Sequence, residues 1–324
     1  MKTILVSGAS GIVGYGCLKS LRYSKEKYRL IGTTIYDNSV APKFCDIFVK
    51  APNTSDSGYM DWLTNTIEKY SVDLIIPCIE VDMYKWAANI ENLNNIKCKI
   101  LLNNIELVDL CGDKWKFYTV LQKEAEELAI PSAINGDFTQ LTKKFKLPFL
   151  LKPRKGFASK GILIITKEKE FVDNMEAYGD TMLAQPIIGD MEEEYTVSAF
   201  FDKYSELCAY ISLKRKLSKL GFTEEAQTVT INGIEGILKK LARIFKPIGP
   251  TNFQFRKQGA HYKLLEINPR ISSATSIRTA FGYNESIMST NYYLHDILPK
   301  QPIIRNGTAI RYVEDFVIYD RDYL

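Results

Sequence analysis

The segment Leu264-Leu265-Glu266-Ile267-Asn268-Pro269-Arg270 sets a carboxylate, an amide and a guanidinium at alternate positions. In an extended strand alternate residues share a face, so Glu266, Asn268 and Arg270 are expected to project together. Carboxylate and amide oxygens are hard ligands suited to Mg²⁺, which keeps several waters and bridges substrate phosphates. Upstream, Asn252-Phe253-Gln254-Phe255 offers a further amide, Gln254, on a strand expected to reach Glu266 through a turn at Gln258-Gly259. Taken singly, each piece reads as a solvated strand face. At this spacing they point to a metal–phosphate site.

Two further segments carry related chemistry. Pro148-Phe149-Leu150-Leu151 reads as a buried strand that Lys152-Pro153 ends. An ammonium there is costly unless an anion meets it. The loop that follows, Arg154 to Gly161, is cationic and contains Gly156, Ala158 and Ser159. Small residues let backbone N–H groups approach phosphate oxygens, and the cations offset their charge. In isolation the same loop is an ordinary solvated hairpin tip. Further on, the apolar strand end around Gln185 and Ile187 can offer its backbone to an adenine edge. The acids that follow it, Glu192 to Glu194, can accept ribose hydroxyls, or can simply form an acidic turn.

Gly8, Gly11 and Gly14 follow a strand and open a helix, the setting of a dinucleotide-binding turn. Their spacing is close to that of short-chain dehydrogenases and sugar-nucleotide epimerases. Those enzymes need a Tyr-x-x-x-Lys pair on a later helix, and the match found, Tyr23 to Lys27, comes directly after the first helix. Asp37 is a lone acid in a turn. A tight strand-to-helix turn is therefore expected. An NAD(P)-dependent epimerase or reductase, which explains this loop alone, is the alternative function.

These residues need elements to position them. The first third alternates strands (Thr3 to Ser7, Tyr28 to Thr34, Asp73 to Pro77) with helices (to about Arg22, and Tyr59 to Tyr70). That grammar implies an open, mostly parallel sheet with helices on its faces. A helix from about Asp113 to Leu128 follows. Short strands then crowd together (Phe149 to Lys152, Ile162 to Ile165, Met182 to Gln185, Tyr195 to Phe201, Glu206 to Leu213, Asn252 to Arg256, Tyr262 to Asn268), which implies antiparallel α+β structure. A domain boundary is expected near Cys111-Gly112.

Composition closes off other classes. Apolar residues at 46% and charged residues at 25% over 324 residues are ordinary globular values, and a net charge of +4 argues for neither nucleic-acid nor membrane binding. Six cysteines without a C-x-x-C pair fit a reducing cytoplasm better than a disulfide framework or a zinc site. With two histidines, His-rich metal centres and Ser-His-Asp hydrolysis are poorly supplied. No run approaches the roughly 20 apolar residues of a membrane span.

In order and spacing these motifs resemble the ATP-grasp superfamily, most closely one synthetase unit of the carbamoyl-phosphate synthase large chain. The resemblance runs from about Cys111 to Tyr283, with a weaker pre-ATP-grasp domain before it. It implies a Rossmann-like domain over 1–112, a small ATP-grasp lobe over 113–185 and a large lobe with the metal site over 186–324. It also implies that Gln254, Glu266 and Asn268 bind Mg²⁺, or Mn²⁺ in its place, on the ATP phosphates, and that Arg270 holds an acyl phosphate. Lys114 and Lys152 would meet phosphates, with Lys214 as a further contact, and Gly156 to Ser159 would close over them. Gln185 to Ile187 would bind adenine through the backbone. For the ribose, Glu194 before Tyr-Thr-Val fits the ligase pattern, and Glu192 fits the count from Gly189 along the synthase pattern. Arg278 is the candidate for a distal substrate anion.

The implied activity is Mg-ATP-dependent ligation: a carboxylate is activated as an acyl phosphate and joined to an amine. The partners are small molecules, with a homodimer compatible. Departures matter too. A single synthetase unit without a glutaminase makes carbamoyl phosphate an improbable product, and Gln254 stands where many amino-acid ligases carry aspartate. A non-catalytic ATP-binding relative is the third class. The tail from Arg305 to Leu324 carries no readable motif.

Overall fold

Short, continuous apolar runs flanked by amphipathic segments suit strands buried on both faces, and the first third of the chain folds that way. In the computed structural model, which describes residues 1–156, 161–190, 193–218 and 221–318, β1 (Thr3–Val6), β2 (Arg29–Thr34), β3 (Ile47–Lys50), β4 (Leu74–Ile76) and β5 (Lys99–Ile100) form a parallel sheet in the order β3-β2-β1-β4-β5. Strand alternation divides its side chains between two cores. Ile4, Val6, Leu30, Leu74 and Ile76 pack with Leu18 of helix Ile12–Leu21 on one face. Leu5, Ile31 and Ile75 pack with Leu63 and Ile67 of helix Tyr59–Tyr70 and with Trp86 on the other.

The chain divides into two compact units, Met1–Leu102 with the stretch from Arg270 onward, and Asn103–Pro269. To its sheet the first unit adds helices Thr275–Ala280 and Glu285–His295 and a short strand, Thr308–Ile310.

The second unit is antiparallel. Strands β6 (Phe149–Pro153), β7 (Leu163–Ile165) and β8 (Met182–Pro186) make a small sheet in the order β7-β6-β8. Its core joins Phe149 and Leu151 to Leu141 and Phe145 of helix Phe138–Phe145 and to Phe171. In the larger sheet, β9 (Glu194–Phe201), β10 (Leu207–Leu217), β11 (Thr223–Thr228), β12 (Gly249–Gln258) and β13 (His261–Asn268) run in the order β13-β12-β9-β10-β11. Val197, Phe201, Phe253, Phe255, Leu264 and Ile267 from this sheet bury against Leu238, Leu241 and Phe245 of helix Ile234–Phe245, and against Phe117 and Leu121.

Three local expectations change. The helix expected from Asp113 to Leu128 runs only over Lys114–Glu124 and gives way to a 3₁₀ turn at Glu126–Leu128. Asp113 is its N-cap, and its carboxylate accepts from the backbone N–H groups of Trp115 and Lys116. The β12–β13 register pairs Gln254 with Glu266 and Phe255 with Leu264, so Leu265 is an extra residue in a bulge. Finally, β13 ends at Asn268, and Pro269 cannot donate to a ladder. Strand alternation therefore does not carry the face of Glu266 and Asn268 on to Arg270.

Candidate functional site

The β12–β13 ladder sets Gln254 opposite Glu266 and Asn252 opposite Asn268. Asn268 Nδ2 donates to Glu266 Oε1 at 3.1 Å, which leaves the Asn268 carbonyl and the second Glu266 oxygen for other partners. Gln254 is differently placed. Its Oε1 accepts from Arg215 Nη2 at 2.6 Å, and the same nitrogen donates to Glu194 Oε1 at 2.7 Å. A guanidinium thus sits on the oxygen that sequence reasoning gave to a metal. Glu266 and Asn268 fit a hard cation such as Mg²⁺. Gln254 fits one less well, because its oxygen already faces a positive charge.

Lys152 lies near the end of β6, paired with Leu183 of β8. Its side chain is partly exposed, yet protein crowds its ammonium. Burial pulls its pKa down to about 8; the Lys114 and Arg256 cations push the same way, and the Glu266 carboxylate opposes them. Arg256 is a cation that the sequence reading missed. It has no motif of its own and is recognised only once β12 is built. Lys114 is fixed at the start of its helix. Its backbone N–H donates to Arg154 O at 2.8 Å, its Nζ donates to Gly156 O at 2.7 Å, and Asp113 pairs with Arg154 at 2.8 Å. Gly156 has φ +121°, a conformation that side-chain-bearing residues rarely adopt. Ala158 and Ser159 lie outside the described residues.

The segment expected to bind adenine leaves β8 at Pro186. The Gln185 side chain is buried and its Nε2 donates to Ser132 Oγ at 2.6 Å, so this residue offers a ligand its backbone only. Ile187 is exposed at 39%. Gly189 has φ +61°, and a Cβ there would stand 2.2 Å from Lys257 O, so the chain passes β12 too closely for any side chain. Of the acids that follow, Glu192 is outside the described residues. Glu194 is 3% exposed and held by both Arg215 and Arg256, the latter at 3.3 Å. The fold thus holds this carboxylate between two guanidiniums. Glu193 is the middle acid of the run. It accepts from Lys214 Nζ at 2.8 Å and from Tyr195 Oη at 2.6 Å, which ties Lys214 to a carboxylate at a partly exposed edge.

The remaining candidates belong to the first unit. Arg270 Nη2 donates to Glu80 Oε1 at 2.6 Å, and its Nη1 donates to Ile271 O at 2.9 Å. Arg278 is fully buried, pairs with Glu285 and donates to Ser272 Oγ at 3.0 Å. The pair is enclosed beside helix Thr275–Ala280, where Arg278 meets Glu285 and not solvent. The glycine loop has a packing explanation. Gly8 has φ +61°, and a Cβ on it would stand 2.4 Å from Ile79 Cγ2. This close approach to the loop after β4 requires glycine without any nucleotide.

Residues 180–316 match the family model described as "ATP-grasp in the biosynthetic pathway with Ter operon". No curated protein sequence matches the chain. Solved structures do. N5-carboxyaminoimidazole synthetase from Staphylococcus aureus, complexed with ADP, superposes with TM-score 0.73 at 16% identity, covering 94% of this chain and 80% of that one. A biotin carboxylase–β,γ-ATP complex from Campylobacter jejuni gives 0.73 at 17% identity, covering 95% and 74%. The biotin carboxylase domain of Hydrogenobacter thermophilus 2-oxoglutarate carboxylase, a dimer with MgADP and bicarbonate, gives 0.75 at 16% identity, covering 95% and 73%. Among the described residues no helix is long and apolar enough to cross a membrane. With its parallel sheet, its small and large antiparallel sheets and the matched pattern across β8 to β13, the chain has the ATP-grasp fold.

Proposed function

We propose that the protein is a Mg-ATP-dependent ligase that joins a carboxylate to an amine and releases ADP and phosphate. The observation that carries this reading is the convergence of three cations, Lys114, Lys152 and Arg256, near the Glu266 carboxylate. Cations gathered beside a lysine whose own charge they oppose suit a polyanion, and a triphosphate with its cation meets both signs. ADP and MgADP in two of the solved relatives support the same reading.

Catalysis of phosphoryl transfer is mostly positioning and charge neutralisation. Glu266 and Asn268 would hold Mg²⁺, which supplies neutralisation of the developing phosphate charge. Lys152 and Lys114 hold phosphate oxygens. A carboxylate oxygen attacks the γ-phosphorus, the bond to the β-phosphate oxygen breaks, and ADP leaves. The amine lone pair then attacks the acyl carbon, phosphate departs with the C–O bond electrons, and the amine proton passes to it. Arg270, two residues beyond Asn268 in sequence, holds the carboxylate and the acyl phosphate with a planar fork. Backbone groups from Gln185 to Ile187 receive adenine. Gly156, Ala158 and Ser159 cover the phosphates, Glu192 or Glu194 meets the ribose and Lys214 stands by a phosphate. Six cysteines without a disulfide support a reducing cytoplasm. A homodimer is part of the same proposal, as one solved relative is described as a dimer.

The test is calorimetry of the full chain with Mg-ATP and with NADH, followed by ADP release in the presence of carboxylate–amine pairs. Saturable ATP binding with no NADH binding is expected. NADH binding without ATP binding overturns the reading.

A further inference from the structure

The first unit holds two arginine–glutamate pairs whose arginines lie eight residues apart, and the pairs differ in their enclosure. Arg278–Glu285 is sealed, with side chains 0% and 1% exposed. Arg270–Glu80 is not, at 13% and 16%. Enclosing a pair of charges costs desolvation energy that an apolar pair of the same volume avoids. The sealed pair bridges one turn between two helices. Glu80 and Arg270 are 190 residues apart in sequence and meet where solvent still reaches them.

The place is informative. In the order β3-β2-β1-β4-β5 the chain proceeds outward in one direction through β2 and in the other through β4, so the order reverses between β1 and β4. Open parallel sheets bind ligands beyond the carboxyl ends of their strands at this reversal. Glu80 opens helix Glu80–Ala88 directly after the loop that leaves β4, and that loop carries Ile79, against which Gly8 at the end of β1 is packed. Arg270 lies near the same loop: burial and Cys17 push the Cys78 thiol well up, while the Arg270 charge opposes them. Among the described residues Arg270 Nε is buried without a hydrogen-bond partner, so the guanidinium has capacity that Glu80 and Ile271 do not use.

We propose that the Glu80–Arg270 pair recognises an α-amino acid as the acyl donor, the carboxylate replacing Glu80 on the Arg270 fork and the ammonium replacing Arg270 on Glu80. The assignment of donor rests on the ligase reading above; the recognition of the two charges does not. In the empty protein each side chain satisfies the other, and a zwitterion satisfies both while opening the pair. A ligand with only one of the charges leaves its opposite number in a half-enclosed site without a partner, and that asymmetry produces the selectivity.

The experiment is calorimetric titration of the full chain with each of the twenty L-amino acids, with and without the Mg²⁺ complex of a non-hydrolysable ATP analogue. The N-acetyl and carboxamide derivatives of any binder follow. At least one amino acid is expected to bind saturably, and each derivative to bind about tenfold or more weakly. In Glu80→Gln the penalty for N-acetylation should fall toward unity while the penalty for the carboxamide persists, a pattern that a merely structural glutamate would not produce. The wild-type series stands by itself if that variant does not fold. Failure of every amino acid to bind under both conditions overturns the proposal, as does equal binding of the N-acetyl form. Amino-acid discrimination in a protein that ignores ATP would sink the ligase reading and leave this inference standing.

Discussion

The Glu266 carboxylate supports the charge on Lys152 against burial and against the neighbouring Lys114 and Arg256 cations, which together pull the Lys152 pKa from 10.5 to about 8. This relationship makes the site sensitive to pH in a definite direction. The unfolded chain keeps the lysine protonated up to its usual pKa, whereas the folded chain releases the proton near 8. The folded state is therefore penalised below about pH 8, and the penalty fades as pH rises through the unfolded value.

Triphosphate binding favours the ammonium and raises its pKa again. ATP binding near pH 8.5 to 9 should therefore take up a proton, and binding near pH 6.5 should take up almost none (roughly, from the depressed lysine). Titrations in two buffers of different ionisation enthalpy measure the uptake. Lys152→Met should abolish it, and should raise the melting temperature of the nucleotide-free protein at pH 7. Equal heats in both buffers at the higher pH would show that Lys152 does not meet the phosphates.

Glu266→Gln keeps the side-chain shape and removes the negative charge. ADP release should fall by about a hundredfold or more, since stabilisation by a phosphate-bridging cation amounts to several kcal/mol. The same substitution withdraws the anion that supports Lys152, so proton uptake on any residual ATP binding should begin at lower pH. An unaltered rate would reduce Glu266 to a solvated strand position.

Arg215 joins Glu194 to Gln254, and the Arg215–Glu194 side chains are 3% and 4% exposed. Arg215→Met leaves the Glu194 carboxylate with only the longer contact to Arg256, and should cost about 3–5 kcal/mol in urea unfolding. Adding Glu194→Gln should recover most of that loss, because the uncompensated charge is gone. Strict additivity of the two substitutions would mean that the pair is not coupled.

The parallel sheet was legible because β1, β2 and β4 are apolar runs at β-α spacing, and the Glu266–Asn268 strand because its polar residues alternate. Other parts left no local trace. Arg215 pairs with Glu194 and Gln254, 21 and 39 residues away, and Arg270 pairs with Glu80 at a separation of 190. Which carboxylate answers which cation is decided by the fold, not by neighbouring sequence, so nothing local announces the partners that enclose Glu194 and Arg278. β5 and β11 lack the length or the apolar content to stand out. The assignment of the chain from Arg270 onward to the first unit has no compositional signal either.

Arg270→Lys separates nucleotide binding from chemistry. It keeps a positive charge and loses the planar fork, so ATP affinity should stay within about twofold while kcat falls roughly a hundredfold. Calorimetry and ADP release give the two values. If ATP binding weakens as much as in Lys152→Met, Arg270 belongs to the nucleotide site and the carboxylate site lies elsewhere.

The central claim is that a carboxylate is phosphorylated by ATP before it meets an amine. It is tested most directly by following one oxygen atom. The protein is incubated with Mg-ATP, a mixture of amino acids carrying ¹⁸O in their carboxylates, and a mixture of amines, and the inorganic phosphate released is examined by mass spectrometry. An acyl phosphate places one labelled oxygen in each phosphate formed. Phosphate carrying ¹⁸O is the predicted result. Phosphate released without label, as simple ATP hydrolysis gives, would contradict the account.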